Sequence, residues 1–146
     1  MTESEIMDEM YDQLMEHSSN SVYHHQLKDA THSLHGHNPS CGDDITLQLK
    51  IENNKITDAS FLGSGCAISQ SSTSIMLQTL IGKTLNEAKK IIDIYISMID
   101  GKKIDENQKA LLGDSIIFEN ISHMPARVKC ALLSWRTLQR LLTDNN

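Results

Sequence analysis

Period-two alternation is cleanest between positions 45 and 51, where Ile45, Leu47, Leu49 and Ile51 alternate with Thr46, Gln48 and Lys50. A strand with one buried and one wet face follows. Asn53-Asn54 supplies a turn, and Lys55–Leu62, with Ile56, Phe61 and Leu62 among polar residues, predicts the return strand of an antiparallel hairpin. Elsewhere the apolar spacing is helical. Ile6, Met10, Leu14 and Met15 behind a capping Thr2 predict a helix over Glu3–His17. Ala67–Ile81 carries Ile68, Ile75, Met76, Leu77, Leu80 and Ile81 with no proline, as a helix packed on a sheet would. Thr84-Leu85-Asn86-Glu87 has capping-box form ahead of Ala88, Ile91, Ile92, Tyr95, Ile96 and Ile99, which predicts a helix ending near Gly101.

Asp105–Leu112 and Ser115–Ile121 read as two short helical pieces split by Gly113. Pro125 suits the first turn of a final helix, where its missing N–H costs nothing, and Leu132, Leu133, Trp135, Leu138, Leu141 and Leu142 give that helix its apolar side. The segment 18–37 holds five of the seven histidines and sustains neither period, so it reads as loop, with room in its histidine-rich part for a third strand. Helix, strands, then helices is the order of an α+β protein: a small antiparallel sheet of about three strands with helices packed on one face. At 146 residues, with no repeat and no shift in composition, one domain spanning 1–146 is expected.

Composition narrows the function. Aromatics are only 4% of the chain, so the core must be built from Ile, Leu and Met. Nineteen acidic residues against thirteen basic ones leave a formal charge of −6, which argues against nucleic acid as a partner and for a protein. No apolar run approaches the ~20 residues a membrane helix needs, and the acidic MTESEIMDEM start is unlike a signal peptide, so a cytoplasmic protein is expected. Three thiols cannot all pair, and in a reducing compartment they serve metals or chemistry more often than disulfides.

Each cysteine falls at the end of an element. Cys41 lies in Asn38-Pro39-Ser40-Cys41-Gly42-Asp43 ahead of a strand, Cys66 follows Gly63-Ser64-Gly65 at a strand-to-helix junction, and Cys130 closes Arg127-Val128-Lys129-Cys130 near a helix start. A helix N-terminus favours the thiolate, which is both the metal ligand and the nucleophile, and Cys66 and Cys130 are expected to gain most from it. Three unrelated core cysteines are the competing reading, because free cysteine is among the most buried residue types. The C-x24-C-x63-C spacing is no zinc-ribbon pattern and does not decide between them.

NPSCGDD at 38–44, GSGCAIS at 63–69 and ARVKCALLSW at 126–135 resemble, in order and spacing, the three cysteine motifs of the iron–sulfur scaffold family that includes IscU and the N-terminal domain of NifU. The resemblance runs from about Thr31 to the C-terminus; upstream, HSSNSVYHHQL replaces the family's usual Tyr/Pro/Asn/Gly pattern. A long stretch from Asp100 to Met124 and Lys129, where IscU has a histidine, both resemble the SufU branch. The family's fold, a small antiparallel sheet with helices on one face, agrees with the order read above.

Carried over motif by motif, the resemblance makes Cys41, Asp43, Cys66 and Cys130 the ligands of one Zn²⁺, a donor set that suits a closed tetrahedron. Arg127 and Lys129 would offset its negative charge if they point toward it. A lysine in place of histidine removes a metal donor and favours sulfur transfer over cluster building. The implied reaction is persulfide transfer: a PLP-dependent, SufS-like cysteine desulfurase presents a persulfide, Cys41 attacks its outer sulfur, and the cargo passes to a SufB-containing scaffold complex. In this reading Cys41 leaves the metal when the desulfurase supplies a replacement ligand. The rivals are a scaffold that carries a transient iron–sulfur cluster on the same cysteines, and a zinc module whose metal only holds the fold. His35 and His37 are expected near the site but not as ligands, Asp44 as the start of a strand, and Ser64 and Ser69 without the partners a hydrolase needs.

Overall fold

The computed structural model describes residues 2–19 and 21–144. Its centre is the hairpin read from the alternation: β2 (Asp43–Glu52) runs antiparallel to β3 (Lys55–Ser64), with Leu47 opposite Phe61 and Leu49 opposite Ala59. Asn53 and Asn54 both take positive φ, 52° and 60°, as a two-residue turn matched to strand twist requires. The inward face, Ile45, Leu47, Leu49, Ala59 and Phe61, is fully buried.

A third strand, β1 (His32–Asn38), pairs antiparallel with the other edge of β2, placing Leu34 opposite Leu47, Gly36 opposite Ile45 and Asn38 opposite Asp43. This is the third strand for which the histidine-rich part of 18–37 had room; the loop reading is corrected at the segment's start, where residues 18 and 19 belong to α1 (Glu3–Ser19), while residue 20 lies outside the described residues. The strand's alternation is faint in the sequence because two of its inward positions, Gly36 and Asn38, are not apolar. The outer edge of β3 is covered rather than open, since Phe61 N–H donates to Tyr23 at 2.8 Å and Ile56 N–H to Lys83 at 3.0 Å.

α2 (Ala67–Leu80) is buried on nearly every side, including Ser69, Ser71, Ser72, Thr73 and Ser74. Its hydroxyls are its fastenings: Ser71 donates to the Leu14 carbonyl of α1 at 3.1 Å, and Ser72 donates to the Ala131 carbonyl at 2.7 Å while accepting from Trp135 Nε1 at 3.0 Å. Tyr95 on α3 (Leu85–Ile99) adds a second bond to the Ala131 carbonyl at 2.8 Å and stacks on Trp135 with ring centroids 3.7 Å apart. The start of α3 carries the capping box expected at Thr84 and Glu87.

Both short helical pieces are present, though they are of different kinds. The first is α4 (Glu106–Leu112); the second is a pair of 3₁₀ turns, Gly113–Phe118 and Ile121–His123, bringing Phe118 and Ile121 into the core. α5 (Pro125–Asp144) starts at the proline and packs on α2, α3 and β1. No described helix is long and apolar enough to cross a membrane.

Candidate metal centre

The β1–β2 connection is four residues, 39–42, and Gly42 at φ 68° reverses the chain inside it. That turn presents Cys41 half-buried at the tip and Asp43 fully buried at the root, on the first residue of β2. The α5 helix, laid along β1, brings Cys130 to the same place from 89 residues away: its thiol donates to Cys41 Sγ at 3.0 Å. This is a contact between free thiols, well beyond disulfide length. Ligand atoms of Cys41, Asp43 and Cys130 all lie within 4.8 Å of one another.

Cys66 completes the arrangement from a fourth direction. It is the N-cap of α2, its Sγ accepting the Ser69 N–H at 3.4 Å, while its own N–H donates to Asp43 Oδ1 at 3.0 Å. Its sulfur stands outside the 4.8 Å group, drawn to the helix end, yet close enough to act on Cys130. Gly65 makes the approach of the two chain segments feasible: a Cβ there would sit 2.8 Å from Asp43 Oδ1.

Electrostatics mark the cluster as unusual. Asp43 is 0% exposed, and among the described residues no cationic side chain pairs with it. Its oxygens receive the Cys66 N–H and, at 3.4 Å, the Asn38 side-chain amide. Burying a carboxylate without a cation is costly, and a divalent ion is the remedy that the neighbouring thiols are suited to hold. Two soft-to-borderline sulfurs and one carboxylate, with a third sulfur alongside, fit Zn²⁺; tetrahedral donors on zinc lie about 3.8 Å apart for sulfur pairs, which this spread can meet by small shifts.

Both thiols expected near helix starts lie there, Cys66 as the cap of α2 and Cys130 in the second turn of α5, but only Cys66 is at the helix end itself. Cys130 is the sixth residue of α5 and 1% exposed, so burial first, then the Cys41 and Cys66 thiols and Asp43, push its thiol well above the usual range. Arg127 and Lys129 are both exposed, and neither side chain forms an ion pair or hydrogen bond among the described residues. The offset expected of them finds no contact in the structure. His35 and His37 lie on β1, not in a loop, outside the thiol cluster, with His35 Nε2 held by Asp44 at 2.5 Å. Ser69 Oγ is buried without a hydrogen-bond partner among the described residues. Asn38, 5% exposed and bonded to Asp43, is the site residue that sequence reading passed over; heading the NPSCGDD stretch was its only signal.

Known proteins resemble this chain in sequence and fold. The NifU-like N terminal domain model matches residues 9–131, well upstream of position 31. The iron–sulfur cluster assembly scaffold protein IscU of Thermotoga maritima is 39% identical over 129 residues, covering 88% of this chain and 89% of that protein. The zinc-dependent sulfurtransferase SufU of Bacillus subtilis is 37% identical, covering 92% of this chain and 90% of that one. A crystal structure of a putative iron–sulfur cluster assembly scaffold protein for the SUF system from Fervidobacterium islandicum superposes with a TM-score of 0.85 at 39% identity, covering 93% of this chain and 98% of that one.

Proposed function

The chain belongs to the IscU/SufU family of iron–sulfur cluster assembly proteins built on the NifU-like N-terminal domain, and from that premise we propose that it is a zinc-dependent sulfurtransferase. The observation that supports this most is the convergence of Cys41, Asp43 and Cys130 within 4.8 Å around a buried carboxylate with no cationic side chain paired to it among the described residues, with Cys66 beside them. These four residues would hold Zn²⁺, which when bound keeps thiols in the thiolate form and neutralises the carboxylate.

The residues divide the work. Cys130 is buried on α5 and Cys66 is fixed as a helix cap, so Cys41, half-buried on a short loop, is the thiol placed to meet another protein. Its thiolate attacks the outer sulfur of a desulfurase cysteine persulfide; the S–S bond breaks, its electron pair leaves with the desulfurase cysteine, which takes up a proton, and Cys41 carries the persulfide. Asp43 and Asn38 orient the base of that loop. The donor is a SufS-like cysteine desulfurase and the acceptor a SufB-containing scaffold complex.

Metal analysis of aerobically purified protein, followed by desulfurase turnover with and without the chain, tests the reading. One zinc per chain and a rise in turnover that Cys41→Ser abolishes is the expected result. Bound iron and sulfide with no stimulation would favour the second reading, a cluster scaffold, which the names of the Thermotoga and Fervidobacterium relatives support. Lys129 beside Cys130 weighs against it, because an ammonium offers a cluster no ligand.

A further inference from the structure

An open groove of about 640 Å³ runs between β1 and α5. His35 and His37 line it from the strand, and Lys129, Leu133, Arg136 and Arg140 from the helix. The helical four fall at i, i+4, i+7 and i+11, a single stripe along α5. The three cations are exposed, and Arg136 has no ion pair among the described residues. Arg140 leans across to donate to the His35 carbonyl at 3.4 Å.

The charge of this groove opposes that of the chain. The protein carries −6 overall, yet among the described residues no carboxylate lines the groove, and nearby Asp44 is occupied by His35. The groove is also continuous with the thiol cluster: Asn38 lines it and donates to Asp43, and Lys129 directly precedes Cys130. From Lys129 to Arg140 the helix rises about 16 Å, the length of roughly five residues of extended chain. An anionic segment laid there would end beside Cys41.

We propose that this groove docks a carboxylate-rich segment of the desulfurase that loads Cys41, a partner assignment that rests on the sulfur-transfer reading. Arg136 and Arg140 supply the attraction and Leu133 the apolar floor, while overall negative charge elsewhere disfavours other orientations of approach.

The test is desulfurase turnover measured against the concentration of zinc-loaded chain, at low and high salt. Arg136→Glu/Arg140→Glu should raise the half-saturating concentration about tenfold at low salt, leave maximal stimulation and zinc content unchanged, and weaken the salt dependence. Arg136→Gln, a gentler change, should raise it roughly threefold. Lys102→Glu/Lys103→Glu alters net charge equally but at a different hollow, beside Met98 and Ser122, and should behave as wild type. An unchanged half-saturating concentration in the arginine variants, or an equal shift in the lysine control, overturns the docking proposal alone. Absence of stimulation by the wild-type chain overturns the sulfur-transfer reading, and this proposal with it.

Discussion

Asp43→Asn isolates the charge from the shape of the site, and its effect should change sign with metal. Asparagine keeps the size of the side chain and an acceptor for the Cys66 N–H, and a turn of the Asn38 amide can satisfy its new N–H₂ group. What disappears is a carboxylate at 0% exposure with no cationic partner among the described residues. Such burial costs several kcal/mol after relaxation, roughly. Hydrogen bonds to a charged group return about 1.5–3 kcal/mol, and here one of the two is long, so the metal-free fold carries a net burden of about 1–2 kcal/mol. In excess chelator the variant should therefore melt higher than wild type, by about 3–6 °C for a chain of this size. Zinc at a thousandfold over its dissociation constant stabilises the wild type by about 4 kcal/mol. Loss of an anionic donor that weakens binding about a hundredfold removes about 2.7 kcal/mol of that. The order of the two melting temperatures should then invert. Scanning calorimetry in chelator and in zinc reads both. A variant that melts below wild type in chelator refutes the burial argument, and an equal rise of both proteins in zinc refutes the ligand role.

Two further outcomes concern the core. Tyr95 is fully buried, and burial raises its phenol above the usual 10.0, so above that pH the unfolded chain loses a proton that the folded chain keeps. Stability should fall by about 1.4 kcal/mol per pH unit there, and Tyr95→Phe, which itself costs about 1 kcal/mol, should flatten that slope in urea titrations at about pH 9 and about pH 11. Gly36→Ala would place a Cβ 2.3 Å from Thr137 Oγ1 and 3.3 Å from Thr137 Cβ, so the Thr137 side chain or the helix carrying it must give way at a cost of about 1–3 kcal/mol, and Thr137→Ala in the same chain should recover part of the lost melting temperature.

The elements that could be read from sequence are those whose buried positions are apolar. The hairpin, α3 with its capping box and α5 with its leading proline all qualified, and their bounds moved by only a few residues. β1 could be expected only as a third strand without bounds, because two of its inward positions serve other ends: Gly36 clears Thr137 on α5, and Asn38 holds Asp43. The 3₁₀ turns after Gly113 carry Phe118 and Ile121 inward from a stretch too short to show a period, so their kind was hidden though their place was not. At the site, sequence could mark Cys41, Asp43, Cys66 and Cys130 only by motif, since their meeting depends on β1 and α5 lying together. Helix-end position alone misjudged Cys130, where burial rather than the end of the helix sets the thiol's character.

The topology also separates fixed thiols from a movable one. The carbonyl next to Cys130, on Ala131, is held by both Ser72 and Tyr95, and Trp135 one turn on donates to the same Ser72, so displacing Cys130 would leave several buried polar groups unpaired. Cys66 is tied through its own N–H to Asp43 and through its sulfur to the first turn of α2. Asp43 is in turn locked into β2 opposite Asn38. Cys41 alone sits in a four-residue connection with a left-handed glycine after it, its backbone held by one 3.3 Å bond to the Asn38 carbonyl. The proposed sulfur transfer needs one thiol that can turn outward to a donor while the others keep their places, and the strand pairing and the hydroxyl fastenings of α2 leave Cys41 the least tied of the three.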